Sequence, residues 1–184
     1  HPAEKTRLVF TPTVNHNVLK NFSGERYVVY KEGHHLSKGS ENSMREKGTT
    51  QAGGSVACMG LDMLIHFGCD PVFLTGQDCA FSGNRYYSSH SQFNQKLQGR
   101  ITRTIPIEKL HREKAQEKKQ LSVKCTQGNP LLTDQVMYSY LRILEHIIEA
   151  NSDTRVFNLF SHGAEIKRAP VLGSVNKLKY WHSL

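Results

Sequence analysis

The stretch from residue 53 to 78, GGSVACMGLDMLIHFGCDPVFLTGQD, changes rhythm part-way along, and that change constrains the fold more than any other feature. From Ser55 to Phe67 the apolar residues Val56, Met59, Leu61, Met63, Leu64 and Phe67 cover most of a helix, with polar Asp62 and His66 four apart. Gly68 suits the position just past a helix end, where the chain turns left-handed, and Pro71 opens the next element. PVFLTG (71–76) is then a short apolar run of the kind found in a parallel strand covered on both faces. With a strand before the helix as well, the order strand, helix, strand predicts a βαβ unit and an α/β fold.

The flanking sequence extends this reading. LVF (8–10) and YVVY (27–30) are β-branched and aromatic runs, separated by a polar connection. Residues 31–52 are polar and aperiodic, a long connection for a compact domain and therefore mobile or functional. Beyond Asp78 the chain stays polar and aromatic-studded to about Thr104. A charged helix is expected over 107–119 and a strand over 121–126 (LSVKCT). Thr133 or Asp134 can cap a helix running to about Ala150, with Val136, Tyr140, Ile143, Leu144, Ile147 and Ile148 as its apolar stripe. RVFNLF (155–160) reads as a further strand, followed by SHGAEI and a basic tail over 171–184. The 184 residues are thus expected to form a single α/β domain.

Composition narrows the function classes. No apolar run approaches the length of a membrane span, and the amino terminus lacks the apolar core of a signal peptide. The net charge of +8 resides largely in local clusters such as KLHREKAQEKK (109–119), where Glu and Lys alternate at helical spacing. Such a pattern marks a solvated helix face, so nucleic acid is set aside as a partner. Cys58, Cys69, Cys79 and Cys125 form no C-x-x-C pair and read as free thiols of a reducing, cytoplasmic compartment. No metal site is assigned.

The chemistry concentrates around the opening stretch. Gly53 and Gly54 let the backbone bend sharply and approach a ligand, and Ser55 can cap the helix or donate. N–H groups exposed at a helix start favour an anion, most often phosphate. Gly76, Gln77 and Asp78 occupy a strand's carboxyl end, where open α/β sheets bind ligands. Taken alone, the glycine pair fits a tight turn without ligand equally well. Asp78 can accept hydrogen bonds from ribose or sugar hydroxyls, or hold a divalent cation. Arg85 can pair with phosphate, Tyr86 and Tyr87 offer stacking faces and hydroxyl donors, and His90 is a candidate general acid or base.

GGSVACMGLDMLIHFG, VFLTGQDCAFSGNRYY, LLTDQVMYSYLRILEHII and VFNLFSHGAEI together resemble the MptE-like domain. Bacterial motility accessory factors and archaeal 6-hydroxymethyl-dihydropterin pyrophosphokinases share that domain. The resemblance runs over about residues 26–170, and GGSVA with GQD is its most specific part. It implies a Rossmann-like, mostly parallel sheet with flanking helices, similar to small bacterial sialyltransferases. It also implies a glycosyltransferase-like domain that takes a CMP-nonulosonate donor to a protein hydroxyl, with flagellin as the acceptor. In that picture Gly53, Gly54, Ser55, Gly76, Gln77, Asp78, Arg85 and Thr133 bind the donor nucleotide. Tyr86 or Tyr87 stabilises the departing nucleotide, and His90 is the base. No resident cofactor is implied.

The chain departs from the family pattern at several points. Arg85-Tyr86-Tyr87 stands where family members often have a His, and Gly128-Asn129-Pro130 lacks the His that the sialyltransferases place there. Ser161-His162-Gly163 replaces a common glycine pair. His162 and His111 therefore stand behind His90 as candidate bases. No Gly-x-Gly-Pro-Ser-Leu segment precedes Arg7, so the chain is expected to be the carboxyl portion of a domain in a longer protein. The alternatives are an ATP-dependent pyrophosphokinase acting on a pterin alcohol with Mg²⁺, and a fragment that binds nucleotide without turnover.

Overall fold

The computed structural model describes residues 6–32, 49–51, 54–81, 101, 105–107, 109–110, 113, 119–159 and 162–173. The chain divides into two compact units, His1–Met63 and Leu64–Leu184. The described residues form eight short strands and three helices, a mixed α/β arrangement.

In the first unit β1 (Leu8–Phe10) pairs in parallel with β2 (Arg26–Val28), joined through α1 (His16–Asn21). Asn15 caps α1 by accepting the Asn17 N–H at 2.9 Å. The YVVY run is interrupted at Val29, whose N–H donates to the Phe10 carbonyl. Beyond it β3 (Tyr30–Lys31) pairs in parallel with β4 (Thr49–Thr50).

The helix α2 (Val56–His66) begins in the first unit and ends in the second. It forms where the sequence predicts, and Gly68 ends it at φ +75°. Its buried face is another matter. Cys58, Leu61 and Asp62 are buried, whereas Val56 is 80% exposed and Leu64 and Phe67 are also exposed. A carboxylate is tolerated inside because its hydrogen bonds are supplied. Asp62 Oδ2 accepts from Thr50 Oγ1 at 2.8 Å and from the Gln51 N–H at 3.0 Å.

In the second unit β5 (Val72–Leu74) pairs in parallel with β8 (Val156–Asn158) in the register Val72–Val156 and Phe73–Phe157. The Phe73 and Phe157 rings stack with centroids 5.8 Å apart, and Leu159 and Leu172 pack on the same cluster. At the amino ends of the two strands Arg155 holds Asp70, with Nε 3.2 Å and Nη2 3.2 Å from Oδ2. These side-chain bonds, with the Arg155 N–H, hold the Asp70 carboxyl below the usual aspartate range.

β6 (Gln120–Val123) and β7 (Leu131–Asp134) form an antiparallel pair. This hairpin is not in the sequence reading, which treats LLTD only as the approach to a helix. α3 (Gln135–Ala150) follows directly, and of the two cap candidates Asp134 takes the position, accepting the Met137 N–H at 2.8 Å. Leu144, Ile147 and Ile148 are buried as the stripe predicts, Tyr140 and Ile143 are half-buried, and Val136, one residue past the helix start, is exposed, while Leu141, outside the stripe, is buried as well. Buried Glu145 pairs with Arg142 and accepts the Lys167 N–H at 3.2 Å, fixing the chain that follows β8. The helix expected over 107–119 lies largely outside the described residues.

Candidate functional site

Gly54 has φ +90°, a conformation that side-chain-bearing residues rarely adopt, and it feeds directly into α2. Ser55 then acts as the cap. Its Oγ accepts the Ala57 N–H at 3.2 Å and its carbonyl accepts the Met59 N–H at 3.3 Å. Cys58 sits under this turn with its thiol pushed up by burial, so it stays protonated.

Gly76, Gln77, Asp78 and Thr133 belong to the second unit. Gly76 (φ +67°) turns the chain as it leaves β5, and Cys79 (φ +49°) turns it again. Between them the Asp78 residue is exposed, while its backbone is held from a distance. The Asp78 carbonyl accepts the Ala164 N–H at 2.7 Å, and the Phe81 N–H donates to the Leu132 carbonyl at 2.7 Å. Thr133, 0% exposed, donates its hydroxyl to the Cys79 carbonyl at 2.7 Å. Ala164 also bridges to Cys125, and the Glu165 N–H donates to the Lys124 carbonyl at 2.8 Å. The segment from Gly163 to Glu165 is thereby threaded between the turn and the end of the hairpin strand.

Gly163 and Ala164 are site-shaping residues that the sequence reading did not single out. A Cβ on Gly163 would run into the Asp78 backbone, 2.7 Å from its carbonyl carbon. The sequence carried a signal for this, because SHGA retains one glycine where the family pattern has two. The retained glycine is the one at the close approach. His162, one of the reserve candidates for the base, precedes it and is exposed. Gly53, Arg85, Tyr86, Tyr87, His90 and His111 lie outside the described residues.

Two clefts of the second unit are lined by residues other than those of the Gly76–Asp78 turn. One, of about 530 Å³, runs between Lys124–Gly128 and Glu165–Val171. The other, of about 240 Å³, lies at the amino end of β8 beside Arg155 and Arg168. Among the described residues no group of three or more His, Cys, Asp or Glu side chains could hold a metal ion. No helix among them is long and apolar enough to cross a membrane.

Strand, glycine turn, helix, strand and GQD turn thus follow one another within the first part of the chain. Residues 2–84 match the MptE-like family, described as 6-hydroxymethylpterin diphosphokinase MptE-like. The MptE-like match takes in both the Ser55 helix start and the Gly76–Asp78 turn, and it ends just before Arg85. It covers a little under half of the chain, so the Thr133–Asp134 helix start and the Gly163–Ala164 segment lie beyond it. No curated protein and no solved structure matches the chain.

Proposed function

We propose that the chain binds the nucleotide of an activated donor for group transfer, with Asp78 at the nucleotide-binding turn. The donor is a CMP-linked nonulosonate, and the acceptor is a protein hydroxyl such as one on flagellin. The observation carrying this reading is the turn itself, where an exposed carboxylate stands on an anchored backbone at the carboxyl end of a parallel strand. That is where a Rossmann-like sheet places a nucleotide, and a carboxylate there can accept from paired sugar hydroxyls. Gly76 and Gln77 present the turn's backbone beside it. In the first unit Gly53, Gly54 and Ser55 keep the phosphate-directed role that a helix start permits.

Transfer forms a bond from the acceptor oxygen to the anomeric carbon as the bond from that carbon to the CMP phosphate oxygen breaks. The hydroxyl proton passes to His90, and the electron pair leaves on CMP, stabilised by Tyr86 or Tyr87 with Arg85.

A second reading is favoured by the description of the matching family, in which the transferred group is the diphosphate of ATP and the acceptor a pterin alcohol. That reaction draws on Mg²⁺ held between phosphates and carboxylates, whereas the turn TGQDCAF carries one carboxylate. Calorimetry on the full chain with CMP and with ATP separates the two. CMP is expected to bind, and Asp78→Ala to weaken it by at least about tenfold, the worth of a charge-assisted hydrogen bond. ATP binding without CMP binding would replace the first reading with the second, and unchanged CMP affinity in Asp78→Ala would remove Asp78 from the site.

A further inference from the structure

We infer that Thr133, together with Gly163 and Ala164, positions Asp78, so that Thr133 acts on the ligand through the turn and not by touching it. The inference rests on the donor-binding reading of that turn. Its first support is burial. The Thr133 side chain is fully enclosed and its hydroxyl is engaged with the Cys79 carbonyl at 2.7 Å, so it has no surface to offer a ligand.

The second support is the conformation of what it holds. Cys79 is a non-glycine residue at φ +49°, a left-handed conformation that crowds the Cβ of an L-residue against its own backbone. Such a conformation persists where surrounding contacts over-determine it. The bond from Thr133 fastens Cys79, the bond from Ala164 fastens Asp78, and the bond from Phe81 to Leu132 fastens the chain beyond them.

The third support is the lack of slack on the opposite side. Gly163 lies so close to the Asp78 backbone that it admits no Cβ. Asp78 is therefore fixed between two segments, one from β7 and one from the chain after β8, while its residue surface faces outward. Rigid placement of a charged acceptor raises affinity because little ordering remains to be done on binding. Thr133 is the penultimate residue of β7 and directly precedes the Asp134 cap, so the α3 start and the turn are set by adjacent residues.

The test uses the full chain with CMP and ATP as probes. Thr133→Val removes the hydroxyl at nearly constant shape, and Thr133→Ser keeps it. Ile147→Val, a buried trim elsewhere on α3, serves as the stability control. Thr133→Val should raise the nucleotide Kd about tenfold, Thr133→Ser should restore it, and Ile147→Val should leave it unchanged while lowering Tm. Full affinity in Thr133→Val, or equal losses in Thr133→Val and Ile147→Val, would overturn the inference. Amide exchange at Phe81 and Ala164, measured without nucleotide, separates the inference from the reading beneath it. Faster exchange in Thr133→Val with no nucleotide bound by wild type keeps the positioning role and sinks the donor site. Unchanged exchange at both amides sinks the positioning role whether or not nucleotide binds.

Discussion

The helix start at Ser55 and the turn at Asp78 are both bends that glycine makes possible, yet they are held in opposite ways. At Ser55 the bonds are local, because its side chain and carbonyl meet N–H groups two and four residues ahead. At Asp78 the holding groups come from Thr133, Ala164 and Leu132, remote in sequence and available only once β7 and the chain after β8 are in place. A locally capped bend forms with its helix and loses little when one bond is removed. A remotely held bend inherits the stability of everything that brings its partners together, and one intruding atom can dislodge it. A segment used to orient a ligand gains from the second arrangement, since its geometry is set by the folded core.

Substitutions at the two bends should separate in size accordingly. Gly163→Ala puts a methyl group into the Asp78 backbone, and we expect a loss of about 3 kcal/mol or more, read as a fall in the denaturation midpoint. A change below about 1 kcal/mol would mean that the remote contact yields easily, and the contrast would collapse. Asp62→Ala sharpens the middle of the scale. It strands the Thr50 hydroxyl and the Gln51 N–H that the carboxylate accepts, one of them buried, for an expected cost of about 2 kcal/mol. Ser55→Ala should cost least, about 1 kcal/mol, as the loss of one cap bond with the helix otherwise intact. Should Ser55→Ala prove more damaging than Gly163→Ala in chemical denaturation, local capping would outweigh the distant clamp and the comparison would be reversed.

Legibility in the sequence follows the same division. The 56–66 helix, the 72–74 strand, the 135–150 helix and the 156–158 strand are readable because each rests on a pattern or punctuation within a few residues. The antiparallel pair escapes because LLTD is too short to show a period and abuts a strong helix signal. The buried face of α2 escapes for a different reason. Hydrophobicity selects Val56, Leu64 and Phe67, whereas the folded chain buries Asp62, whose two donors come from β4 and the residue after it. Asp78 and Thr133 are legible as residues of interest, since a carboxylate after a strand and a Thr-Asp pair before a helix carry local signals.

What the sequence by itself determined, then, are the elements whose causes are local: helical periodicity, caps, a left-handed glycine after a helix, and an apolar strand ending in Gly-Gln-Asp. The tertiary structure alone decided that the Thr133 hydroxyl is spent on Cys79, that Gly163 must stay a glycine, and that the Asp78 backbone is fixed while the residue remains exposed. The physical reason is range. Propensity and periodicity act over a turn or two of chain, but a hydrogen bond across 54 residues exists only when the packed core has brought its two ends together.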